Sequence, residues 1–182
     1  MRKIITNFIL LLVVVMICAS CDDKVEFNDY KDYLYNSMES VKTITNNAKA
    51  YDSSVLVYEY NNQMSLLENG GAEVVKTITS LNNNFELETK TEKSVIENVQ
   101  RNSLLNINFN SDLMDDLNVS DNKITFTLTP ENIKSFLNSN ELNISGAAQC
   151  ELIFANEKIN NIKLVFATAS NIDVVVNISY LY

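Results

Sequence analysis

Residues 148–182 read AQCELIFANEKINNIKLVFATASNIDVVVNISYLY, and this stretch decides the fold. Apolar residues recur every second position in Ala148 to Phe154, Ile162 to Phe166 and Ile172 to Tyr182. Short polar loops at Asn156–Asn161 and Ser170–Asn171 separate the three runs. The last run places Ile172, Val174, Val176, Ile178, Tyr180 and Tyr182 on one face and Asp173, Asn177 and Ser179 on the other. A period of two is the signature of a strand with one covered face, and short connections make neighbouring strands antiparallel. The spacing predicts an antiparallel meander.

The same period continues upstream. Ile124, Phe126 and Leu128 alternate with Thr125, Thr127 and Thr129. Thr129 then caps a short predicted helix with Pro130 at its first position and Ile133, Phe136 and Leu137 on its inner face. Asp112 to Asp121 reads as an irregular acidic segment, and Leu105, Ile107 and Phe109 as another strand. Alternation from Val55 to Tyr60, Val75 to Leu81 and Phe85 to Thr91, broken by Asn69–Gly70–Gly71 and Asn82–Asn83–Asn84, predicts further strands, the last two a hairpin with one wet face. Before Asp52 the spacing changes. Tyr30, Leu34, Met38, Val41, Ile44 and Ala48 fall on one helical stripe, which predicts an amphipathic helix of about five turns. Strands in runs with helices set to one side give an α+β domain, a large twisted antiparallel sheet packed over the N-terminal helix and the second short one.

Ahead of that domain stands a segment of a different kind. Arg2 and Lys3 precede the unbroken apolar run Phe8 to Ile17, and small Ala19 and Ser20 lead into Cys21 and the acidic pair Asp22–Asp23. A membrane-spanning helix needs about 20 apolar residues, more than this run supplies. The order of positive, apolar, small and cysteine is that of an export signal. It resembles the bacterial lipoprotein signal, whose lipobox ends in the cysteine that becomes the new N-terminus. Cys18 stands where that family usually has leucine, and Ile17 before it is too large for a cleavage site. The resemblance implies a diacylglycerol thioether on Cys21, and with it a cell-membrane location facing outside the cytoplasm. The chain then divides into a signal peptide at 1–20, a lipidated cysteine and tether at 21–28, and one extracytoplasmic domain at 29–182.

Without residues 1–20 the chain keeps 12 basic and 23 acidic residues. A surface this acidic is repelled by phosphate backbones, so nucleic acid is excluded as a partner and the membrane is held through Cys21 alone. Cys150 is then the one unmodified thiol, so no intramolecular disulfide forms, and its place beside Ala148, Leu152 and Phe154 reads as a small buried hydrophobe.

The chain contains no histidine and no tryptophan. Imidazole bases, Ser-His or Cys-His pairs and His-ligated zinc are therefore absent, and the chain is read as a non-enzyme with no catalytic residue, metal or cofactor. Ser120–Asp121–Asn122–Lys123 matches two penicillin-binding signatures in the same four residues, without the Lys-Thr-Gly strand, and reads as a turn. Asp112, Asp115, Asp116 and Asp121 offer carboxylates to calcium but lack the glycine and terminal glutamate of a calcium loop, and read as a solvated acidic segment. Tyrosines at 30, 33, 35, 51, 58, 60, 180 and 182 suit either the rim of an apolar groove or ordinary core packing.

The amphipathic first helix, the Thr-Pro-opened short helix and the closing "VVVNISYLY", Val174 to Tyr182, resemble the LolA/LppX-like lipoproteins. That resemblance implies a half-barrel sheet over helices, with a lipid or other apolar ligand bound on its concave face. No motif carries over a binding residue. The alternative is an envelope module for protein interaction or structure, without a small-molecule pocket.

Overall fold

The computed structural model describes residues 27–105, 107–138 and 144–182. The signal peptide, Cys21 and the tether up to residue 26 lie outside the described residues. Helix α1 (Phe27–Ser40) opens the fold, two residues ahead of the expected domain start, with the Phe27 ring stacked on Phe109 at 4.7 Å. Nine strands follow: β1 (Thr43–Asp52), β2 (Val55–Leu66), β3 (Ala72–Leu81), β4 (Leu87–Ile96), β5 (Asp115–Ser120), β6 (Lys123–Leu128), β7 (Ala148–Ala155), β8 (Lys158–Ala167) and β9 (Asp173–Leu181). Helix α2 (Pro130–Phe136) sits between β6 and β7. The strands form one antiparallel sheet in the order β4-β3-β2-β1-β9-β8-β7-β6-β5, an open half-barrel with β4 and β5 at its edges.

The C-terminal meander matches its sequence pattern. Along β6, β7 and β8 fully buried residues alternate with more exposed ones. Their inward set, including Ile124, Phe126, Leu152, Ile162 and Leu164, meets Tyr30, Leu34 and Met38 of α1 and Ile133 and Phe136 of α2 in one core. Thr129 caps α2 by accepting from the Asn132 N–H at 3.2 Å, with Pro130 at the first position.

One buried polar side chain breaks the apolar face of α1. Ser37 donates to the Tyr33 carbonyl and accepts the Ile159 N–H at 3.0 Å, so it satisfies a β8 backbone group that the helix would otherwise cover.

Four expectations are corrected. The helix does not run on to Ala48. It ends at Ser40, and Ile44 and Ala48 lie on one face of β1, because a spacing of four is also an even number of strand positions. The β-branched run Thr43–Ile44–Thr45 favours the strand. Leu105, Ile107 and Phe109 are buried, but among the described residues they pair with no strand; the Asn108 N–H donates to Phe136 instead, at 2.7 Å. The acidic stretch is in part a strand, β5, bulged between Asp115 and Asn118, and its charges suit a sheet edge that must not pair further. In the β3–β4 hairpin, β4 is exposed on both faces and not on one, since no element among the described residues covers that edge.

Cys150 is a buried free thiol, lying between Phe126 and Leu164 in register. Burial pushes its pKa well above the ordinary 9.0. In the unfolded chain the thiol ionises near that value while the folded chain keeps its proton. Stability therefore falls as pH rises above about 9, by up to about 1.4 kcal/mol per pH unit. Thermal melts between pH 8 and 11 are expected to show this decline, and Cys150→Ala to make it shallower. An unchanged slope in the variant would place the loss elsewhere, for example on the Tyr180 phenol, which burial also pushes up.

Candidate functional site

The covered face of the sheet changes character at β9. From β6 to β8 it is filled by large apolar side chains, whereas β1 to β4 contribute only Ala72 to the buried core among the described residues. What lies over β9, β1 and β2 is a cavity of about 800 Å³, open to solvent.

Its floor is three rows in strand register: Tyr180–Ile44–Met64, Ile178–Asn46–Asn62 and Val176–Ala48–Tyr60. Alanine and asparagine on β1 stand where β8 has Leu164 and Ile162. The roof is Ile96 at the end of β4, then Asn98, Val99, Gln100, Ser103, Leu104 and Ile107, and Leu137 after α2. Arg101 pins that roof. Its guanidinium donates to the carbonyls of Met38 at 3.2 Å and Val41 at 3.0 Å, closing the C-terminal end of α1.

Among the described residues no charged side chain lines the cavity. The Asn46 side-chain oxygen is buried in the middle row without a hydrogen-bond partner. The Lys76 ammonium stands 5.8 Å from the Tyr60 ring centroid, further out on β3. A smaller hollow of about 320 Å³ on the opposite face of β6, β7 and β8 has Asp116, Glu151 and Lys163 in its wall.

Neither the Ser120–Lys123 turn nor the acidic segment lies at the larger cavity, though Asp116 stands in the wall of the smaller hollow. Ser120 and Lys123 flank the β5–β6 turn, where the Ser120 hydroxyl donates to the Lys123 carbonyl at 3.0 Å and Lys123 pairs with Glu151. The Asp116 carboxylate accepts from Thr127 at 3.1 Å, and no metal-holding cluster of three or more acidic or cysteine side chains occurs among the described residues.

The tyrosines divide between the two readings. Tyr30 is core, packed on Phe154 at 4.5 Å with its hydroxyl donating to the Ser120 carbonyl, while Tyr60 and Tyr180 line the cavity. Asn46, Asn62 and Arg101 were not marked by sequence. Asn46 lies off the helical stripe that runs through Ile44 and Ala48, and only β1 as a strand turns it inward.

No helix among the described residues is long and apolar enough to cross a membrane. The sequence matches no protein-family model and no curated protein. Among solved structures, it is similar to LprF from Mycobacterium bovis at 8% identity, over 85% of this chain and 90% of that one, with a TM-score of 0.41. It is also similar to a redesigned β-barrel, mFAP1, bound to DFHBI, at 11% identity over 79% of this chain and 97% of that one, TM-score 0.25. A dehydratase domain from the CurK module of curacin polyketide synthase gives 12% identity over 84% and 77%, TM-score 0.25. These similarities are slight, and none assigns the chain to a family.

Proposed function

We propose that this chain is a membrane-anchored envelope lipoprotein, held by a lipidated Cys21, whose domain binds a lipid or other apolar ligand in the cavity over β9, β1 and β2. The observation that carries this reading is the cavity itself. Its volume of about 800 Å³ falls in the usual range for small-molecule sites, and Ile44, Met64, Val176, Ile178, Leu104 and Leu137 give it apolar walls. An interaction module with a filled core would have no such space. Binding is favoured over catalysis because the lining offers neither a carboxylate nor a thiol nor an amine for proton transfer, and the sequence holds no histidine. The net charge of −9 argues against nucleic acid as a partner.

Ala48→Trp places an indole on the cavity floor without touching the filled core. Solvent extraction of the purified protein followed by mass spectrometry is expected to recover a non-covalent lipid from the unaltered chain and roughly tenfold less from the variant. The melting midpoints should stay within a few degrees of each other. Equal lipid from both proteins would mean carry-over from the membrane, and the reading would fall.

A further inference from the structure

The two edges of the sheet differ in how they meet another strand. β5 is six residues long, acidic and bulged, three features that discourage further pairing. β4 is ten residues long, contains no proline and pairs with β3 without a bulge. Its outward backbone groups follow from the ladder. The Asn82 N–H donates to the Glu86 carbonyl at 2.8 Å, and in an antiparallel pair such bonds recur at every second position. Glu88, Lys90, Glu92 and Ser94 therefore turn their N–H and C=O groups toward β3, and the odd-numbered residues from Leu87 to Val95 turn theirs outward. The Thr79–Thr89 and Thr77–Thr91 hydroxyl contacts, at 2.9 and 3.2 Å, agree, because side chains come closest in pairs that share no backbone bonds.

A second β4 laid antiparallel on this edge must set odd residues opposite odd ones, so its register is fixed by the residue on the two-fold axis. With Thr91 on the axis, Lys90 meets the partner's Glu92 and Glu92 meets the partner's Lys90. Leu87 and Val95, 51% and 66% exposed, then meet the partner's Val95 and Leu87. The neighbouring registers all oppose like charges, which is destabilising. An axis at Lys90 or Lys93 sets that lysine against itself, one at Glu92 sets that glutamate against itself, and one at Thr89 sets Glu86 against Glu92.

We infer that β4 is a self-association edge, and that two copies of the chain join there about a two-fold axis through Thr91 into one continuous sheet. The contact is isologous, each copy offering the same strand. The axis stands normal to the sheet, so both α1 helices lie on the same side of it, as two lipid anchors in one bilayer would require. The inference does not depend on the cavity.

The test is disulfide trapping of the full chain, mildly oxidised in membranes of the producing cells. Cys150 is buried and does not compete. Thr91→Cys is expected to cross-link to its own copy, since a backbone-bonded pair on the axis holds the Cα atoms about 5.5 Å apart, within disulfide reach. Thr89→Cys sets its two copies four positions, about 13 Å, apart and should give at least tenfold less dimer, while Thr89→Cys with Lys93→Cys should restore it. In the Thr91→Cys background, Lys90→Glu and Glu92→Lys should each lower trapping about tenfold, and co-expression of the two should recover it, because each supplies the charge the other lacks. That recovery also shows that both variants fold. Equal trapping at residues 89 and 91, trapping indifferent to the charge changes, or no dimer from any variant overturns the inference and leaves the ligand reading as it was.

Discussion

Leu164→Asp is expected to abolish the cooperative thermal transition of the domain, while Lys163→Ser, one residue away, leaves it nearly unchanged. Leu164 is 0% exposed at the centre of β8, between Cys150 of β7 and Val176 of β9. Its neighbours in the core are apolar, so an aspartate there would have to stay protonated or break the packing. Either outcome costs several kcal/mol, against a total stability of about 5–15 kcal/mol for an ordinary domain. Lys163 is exposed on the opposite face of the same strand. Circular dichroism on heating checks both variants. A cooperative melt in Leu164→Asp near that of the unaltered protein would show that β8 is not at the centre of the core. Leu164→Ala, which removes volume without adding charge, should cost about 2–5 kcal/mol and lower the midpoint while keeping the transition cooperative.

Cys21→Ala should abolish metabolic labelling of the protein with palmitate and leave it as an uncleaved precursor or released from the membrane. Only a thiol forms the thioether, and two buried acyl chains at about 0.8 kcal/mol per methylene hold a protein on a bilayer almost permanently. Cys18→Ala should leave labelling intact, because Ile17 before it does not suit cleavage. Labelling that survives in Cys21→Ala and disappears in Cys18→Ala would move the anchor three residues upstream. Five residues separate Cys21 from Phe27, where α1 begins, so a fully extended tether spans about 20 Å. The domain would thus be held close to the lipid surface.

The sequence revealed the sheet more clearly than the site. Alternation in β6 to β9 told which residues face inward, since a period of two leaves no ambiguity once the turns are found. It did not distinguish a covered face from an empty one. Leu164 and Val176 both sit at inward positions and look alike in sequence, yet Leu164 is in solid core and Val176 lines the cavity. That difference is made by what lies opposite, and the residues there, Asn98 to Gln100, Ser103, Leu104 and Ile107, have no regular period to read. Ile44 and Ala48 failed for another reason. Their spacing fits helix and strand alike, and the true helix just before them lent its phase. Arg101 was silent because a charge that caps a distant helix looks, in sequence, like any surface arginine.

The central join of the sheet has a kinetic consequence. Among the described residues every strand pair but one links neighbours along the chain; the exception, β1 with β9, brings residues such as Ala48 and Val176 together across almost the whole domain. Hairpins close within microseconds, but a pairing of this span must first meet the entropy of a very long loop. A chain emerging N-terminus first from a ribosome or a translocation channel can zip β1 to β4 early, yet it cannot lay β9 beside β1 until nearly all of it has arrived. The cavity floor straddles that seam, so it is completed only in the final step of folding, and a truncated or still-threaded chain has half a floor.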